Sequence, residues 1–273
     1  MFNGWPGLPE KEIVTMIVPG KIMNLAVVLL MMTTVVVARP VGQGAAAATD
    51  QVVLQNQVYE AYVTGNIPLW ERTIRQMEAA YSQRPGPELL YDILLAQYGL
   101  IGYYLGTGQN SNAQRHLEKA EAYAGQLAAS RPYSTTALVF QSAFLGFRIS
   151  LRPLRAVQLG PRSYRLIDQA IEADPAYARG WIEKGNISFY TPSVFGGNKG
   201  DAIAHYQKAI QLLEKNTANN HRWLYLSTLV ALANAQKETG DTMDGIRTLE
   251  KALRHEPRFS WVRDELLPAF RGR

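Results

Sequence analysis

Cysteine is absent from the 273 residues. Its absence excludes a disulfide scaffold, thiolate zinc sites, thiol nucleophiles and lipid attachment through an N-terminal Cys. Stability therefore rests on packing. A dominant charge is missing too: 28 Lys+Arg stand against 23 Asp+Glu, and a formal charge of +5 is too mild and too interspersed for a dedicated nucleic-acid binder. Catalytic and metal motifs are equally scarce. His116, His205, His221 and His255 are scattered with no H-x-H or HExxH spacing, and neither a G-x-S-x-G elbow nor a phosphate-cradling glycine loop occurs. No catalytic residue, metal or cofactor is expected. What the chain has in quantity is apolar residues, at 47%, ample for a core.

The N-terminus reads as an export signal. Lys21 precedes Ile22 to Ala38, seventeen residues without a charge, and Ala45 to Ala48 supply the small residues a signal peptidase needs. Cleavage is expected near Ala48, giving an N-terminal extension over 1–48 and a folded domain over 49–273. An uncleaved signal anchor is the neighbouring alternative, because the run falls just short of the roughly 20 residues that span a bilayer. Either way the expected location is periplasmic or secreted, with membrane contact only through this segment.

Beyond Ala48 the alternating pattern of strands is missing, and apolar residues recur three and four apart, so the domain is expected to be all-α. Breakers such as Gly65-Asn66, Arg84-Pro85, Gly106-Thr107-Gly108, Arg152-Pro153, Asp174-Pro175, Gly240-Asp241 and Glu256-Pro257 cut it into helix-length segments. Such short helices are stable only when packed against neighbours. One spacing recurs inside them. Ser163, Ile167, Ala170, Pro175 and Gly245, Leu249, Ala252, Pro257 share one small-large-small-proline order. Ala113, Leu117, Ala120 and Ala202, Tyr206, Ala209 repeat its first three terms. Small residues seven apart lie on one helix face, where a partner helix approaches closely.

At these residues the chain resembles the tetratricopeptide repeat (TPR) family, whose unit of about 34 residues carries this signature. The resemblance implies an α-solenoid of about five antiparallel helix hairpins plus a C-terminal capping helix around Trp261 to Pro268. Ser163 to Gly245 spans 82 residues, longer than two units, with five extra residues between Gly185 and Ala202 and nine between Ala209 and Leu229. Segments 149–154, 188–197 and 261–268 are also similar to exported bacterial TPR proteins and, more loosely, to the periplasmic T-component of TRAP transporters.

The family likeness implies a concave groove lined by the first helix of each hairpin. By position this places Arg179, Ile182, Asn186, Phe189, Tyr190, Trp223, Ser227, Asn234 and Lys237 at the groove. Ile182 and Ala231 stand where the carboxylate-clamp subtype carries Lys and Arg, which argues against a chaperone-tail receptor. Two further features come from the residues themselves. Thr191, Pro192, Phe195, Gly196 and Gly197 form a glycine-rich lip before the next helix, either a binding edge or a turn whose aromatics plug a gap. Arg148, Arg152, Arg155, Arg162 and Arg165 crowd a stretch without an acid, a cluster suited to carboxylate or phosphate or else a solvated face. The expected function is a non-enzymatic scaffold holding a protein or peptide on its concave face. The alternative is a small-molecule-binding periplasmic accessory of a transport system, which requires an enclosed pocket of several hundred cubic ångströms.

Overall fold

In a computed structural model the described residues are 42–215 and 222–272. The candidate export segment, up to residue 41, lies outside them. Ten long helices form five antiparallel pairs among the described residues: α1 (Gly42–Thr64) with α2 (Ile67–Gln83), α3 (Pro87–Gly106) with α4 (Asn110–Ala128), α5 (Ser134–Leu151) with α6 (Ala156–Ala173), α7 (Ala178–Tyr190) with α8 (Lys199–Lys215), and α9 (Arg222–Glu238) with α10 (Thr242–His255). A π-helical turn, Val262–Leu266, leads into α11 (Leu267–Phe270), which covers the last pair. This is the all-α solenoid of five hairpins and a cap that the repeat spacing predicts. The candidate cleavage point after Ala48 falls inside α1.

The small-large-small residues do the predicted work. Ala113, Leu117 and Ala120 on α4, Ser163, Ile167 and Ala170 on α6, Ala202, Tyr206 and Ala209 on α8, and Gly245, Leu249 and Ala252 on α10 are all buried. At α7 and α8 the approach is closest, since a methyl group on Gly185 would stand 2.5 Å from the Tyr206 ring. In the third hairpin the contact is polar: Ser142 Oγ donates to the Ser163 carbonyl (3.0 Å) and Ser163 Oγ to the Ser142 carbonyl (3.1 Å), so neither buried hydroxyl is orphaned.

Three hairpins turn in the same way. Gly65 directly after α1, and Gly108 and Gly240 two residues past the ends of α3 and α9, take positive φ, the left-handed residue that stops a helix without a Cβ penalty. The third and fourth hairpins depart from this. Helix α6 begins seven residues before its crossing residue Ser163, whereas α4, α8 and α10 begin three before theirs. The third hairpin thus projects one extra turn, about 6 Å. The fourth spends residues 191–198 on its connection, where the five extra residues go. Of the nine extra residues before Leu229, some lengthen α8 and α9 and the remainder fall at 216–221, outside the described residues.

The superhelix closes on itself. Inner helix α1 touches α9, and each inner helix touches the next. Tyr59 Oη donates to Glu256 Oε2 (2.8 Å), Arg258 Nη1 pairs with Glu60 (3.0 Å) and Ser260 Oγ donates to the Val63 carbonyl (3.2 Å). Behind these polar contacts Tyr62 packs against Trp223 and Phe259, with ring centroids 5.4 and 5.1 Å apart, and Trp70 meets Trp223 at 5.7 Å. One hydrophobic core consequently runs from Val58 to Phe270 and includes both ends of the domain.

Candidate functional site: a basic and apolar corner

The nine groove positions do not line one open channel. Arg179, Ile182 and Trp223 are buried; Asn186, Phe189, Ser227 and Asn234 are half-buried; Tyr190 and Lys237 are exposed. The physical reason is the tightness of the coil. Asn186 on α7 donates to Tyr98 Oη on α3 (2.9 Å) and accepts from Tyr206 Oη (2.9 Å), so α3 and α7 meet across α5 and bury Phe140 and Phe144 beneath them. Trp223 is consumed by ring closure, and Lys237 lays its ammonium 4.3 Å from the Phe270 ring, against the cap. Burial pushes the Glu183 carboxyl up to about 7 against the opposing pull of Asn186 and Arg179.

The lip is a tight structure. Gly196 takes φ +91°, and a Cβ on Gly197 would lie 1.7 Å from the Thr191 carbonyl oxygen. Asn198 N–H donates to the Ser188 carbonyl (2.9 Å), and Asn198 Oδ1 accepts from the N–H groups of Gly200 (2.8 Å) and Asp201 (3.2 Å). Asn198 thus caps α8. The N–H groups of Gly200 and Asp201 at the start of α8 are thereby engaged. Of the lip aromatics only Phe189 packs against the core; Phe195 is 64% exposed, and exposed Tyr190 stands beside Phe189 with ring centroids 4.8 Å apart, while Val194 between them in sequence is 83% exposed.

The arginine cluster divides in two. Arg148 makes a bidentate pair with Glu121, its Nε 2.7 Å from Oε1. Arg152, Arg155, Arg162 and Arg165 are exposed, and none of them meets a carboxylate among the described residues. Between Arg152 and Arg162 the projecting hairpin carries Leu154, 98% exposed, and Val157, 79% exposed.

The arginine stretch and the lip are the closing turns of consecutive hairpins, α5 with α6 and α7 with α8, and in a stack of antiparallel pairs the closing turns share one edge. Of nine exposed large hydrophobic residues among the described ones, seven (Tyr103, Leu154, Val157, Tyr190, Val194, Phe195 and Met243) sit on or within a turn of this edge. Five of those seven belong to these two hairpins. Neither 148–167 nor 184–200 contains an acid. The result is a protruding corner, apolar at its tips and positive around them, of the kind that marks an interaction surface rather than scattered exposure. Sequence spacing brought Phe195 and the arginines forward but missed Leu154, Val157 and Val194. The signal was present: the extra turn before Ser163 carries apolar residues that lie outside the small-large-small stripe.

No catalytic arrangement accompanies the corner, and the described residues hold no cluster of three or more His, Asp or Glu able to bind a metal. A half-open space between Gln55, Asp92, Leu95 and Trp223 has a volume of about 10 Å³. That is room for one water. A shallow depression of about 360 Å³ lies open to solvent beside Gln236, Arg247, Lys251 and Arg254.

No family model and no curated protein matches the chain. Solved structures do. The HusA haemophore from Porphyromonas gingivalis superposes with a TM-score of 0.59 at 20% identity, covering 72% of this chain and 96% of that one. A thermophilic TPR protein of Thermus thermophilus superposes with a TM-score of 0.51 at 18% identity, covering 79% and 94% respectively. At such identities the likeness speaks to fold alone, and neither neighbour is a transporter T-component. Buried small-large-small stripes, five stacked hairpins and these neighbours together identify the architecture as a TPR-like α-solenoid.

Proposed function

We propose that this chain is a non-enzymatic, exported TPR-like scaffold that holds a protein or peptide, and that it does so at the corner formed by the third and fourth hairpin turns rather than along its concave face. The observation that carries this reading is the exposure of Leu154 and Phe195 on the closing turns of consecutive hairpins, together with four arginines that have no acidic partner among the described residues. Such a surface suits a partner presenting apolar side chains flanked by carboxylates. Apolar insertion supplies affinity, while the guanidinium forks select the partner and steer its approach. Export is supported by the basic-then-apolar order of Lys21 and Ile22 to Ala38. The small-molecule carrier, which the haemophore neighbour brings forward, needs an enclosed chamber of several hundred cubic ångströms; the space beside Gln55 and Trp223 holds about 10 Å³, and the depression of about 360 Å³ beside Gln236 and Arg254 lies open to solvent.

The test is site-specific photo-crosslinking from position 195 in the native cell envelope, followed by affinity measurement on the captured partner. Leu154→Asp and Arg155→Glu are each expected to weaken binding at least tenfold, with the thermal midpoint unchanged. Arg131→Glu, between α4 and α5 at the opposite edge, is expected to leave it intact. Equal binding by all three variants would remove the corner from the interface.

A further inference from the structure

Arg179 is buried, 4% exposed, yet its guanidinium makes no hydrogen bond to any described residue, and its Nη1 atom is fully shielded without an acceptor. The group is clamped between two rings, 4.1 Å from the centroid of Phe140 and 4.8 Å from that of Tyr98. Aromatic faces hold a guanidinium in place but satisfy none of its five N–H donors. An unmet charged donor in the interior is costly, so buried guanidiniums are ordinarily paired. Glu183 lies one helical turn along α7 but forms no ion pair with it; that carboxyl is engaged by Asn186 Nδ2 at 3.1 Å. Arg179 also occupies the first turn of α7, a thirteen-residue helix whose N-terminus has neither a side-chain cap nor an acid. The positive end of the helix dipole adds to the same field.

We infer that Arg179 is a receptor for a carboxylate, which takes the edge of the clamped guanidinium in a bidentate contact. The site is distinct from the docking corner and stands independently of it. Tyr98 lies against Arg179 and Tyr91 stands within its electrostatic reach; both rings are half-buried, and the proposed carboxylate, on a small acid or a chain terminus, would enter beside them. The planar fork of arginine matches the two oxygens of a carboxylate, which a lysine ammonium does not.

Binding at this place is coupled to protonation. The groups facing Arg179 and Glu183 are Asn186 and Tyr190 on α7, Tyr91, Asp92 and Tyr98 on α3, Tyr177 before α7 and Tyr206 on α8. Burial raises Tyr91, Tyr98 and Tyr206 away from neutrality and pushes the Glu183 carboxyl up to about 7, where its charge changes. An ionised Glu183 repels an incoming anion.

The experiment is thermal unfolding of the folded chain titrated with acetate, inorganic phosphate or chloride at constant ionic strength, at pH 6 and pH 8. The expected result is saturable stabilisation by acetate and not by chloride. About tenfold more acetate is expected to be needed at pH 8, as a carboxyl near 7 dictates. Arg179→Gln is expected to abolish the acetate effect, and Glu183→Gln to make the two pH values coincide. Equal shifts from all three anions would overturn the site, and so would a tenfold pH difference that survives Glu183→Gln. Stabilisation by phosphate alone would overturn its assignment to a carboxylate. Where Arg179→Gln fails to fold, the anion comparison and Glu183→Gln decide.

Discussion

Two buried carboxyls set opposite pH limbs. Arg258 hydrogen-bonds Glu256 and, with its own backbone N–H and Tyr59 assisting, holds that carboxyl down to about 2. Its folded pKa lies below its ordinary value, so its contribution is complete above the ordinary carboxylate range and is lost as pH falls toward 2. Glu183 behaves in the reverse sense. Burial raises it to about 7, so the folded state holds its proton more tightly and stability declines as pH rises from the ordinary carboxylate range through 7. Thermal midpoints across pH 2 to 9 are expected to rise and then fall accordingly. Glu256→Gln should remove the acid limb and Glu183→Gln the neutral one; a profile that neither change alters would contradict both environments. Both glutamates are written plainly in the sequence, but nothing local distinguishes them. Their environments come from Arg258 and Tyr59 in one case and from the meeting of α3 with α7 in the other.

At the scale of elements, the lip is rigid because its glycines are obligatory. Gly197→Ala drives a methyl group into the Thr191 carbonyl, a clash with backbone that only rearrangement of 191–198 relieves. The expected outcome is local: amide exchange at Asn198, Gly200 and Asp201 rises at least tenfold as the Asn198 cap comes apart, while the thermal midpoint moves by a few degrees at most. Unaltered protection at those amides would show that the lip tolerates the methyl. The helices themselves were legible. Ser163, Ile167, Ala170 and their counterparts fixed which face of each second helix is buried, because a seven-residue interval is a property of the helix rather than of the fold. The hairpin that projects was less legible, since an extra turn looks like ordinary helix until the crossing residues are aligned.

For the whole molecule the decisive fact is closure. In an open solenoid each repeat feels only its neighbours, and damage at one end stays there. Here Phe259, wholly buried, packs on Tyr62 some 197 residues earlier in the chain. Phe259→Ala is expected to cost about 3–5 kcal/mol. Its signature is spatial: hydrogen exchange should accelerate in α1 and α2 as much as in α9 and α10. Acceleration confined to the C-terminal pair would show an open stack.

The sequence by itself determined the helical hairpins, their number and the stripes by which they interlock, for these are set by local periodicity and by residue size. It also displayed the arginines and the lip. Tertiary structure alone decided how tightly the stack coils, and with it that α1 meets α9, that Arg179 and Trp223 lie inside, and that Leu154 and Phe195 share an exposed edge. Curvature accumulates from small rotations between successive hairpins, and no single residue encodes it.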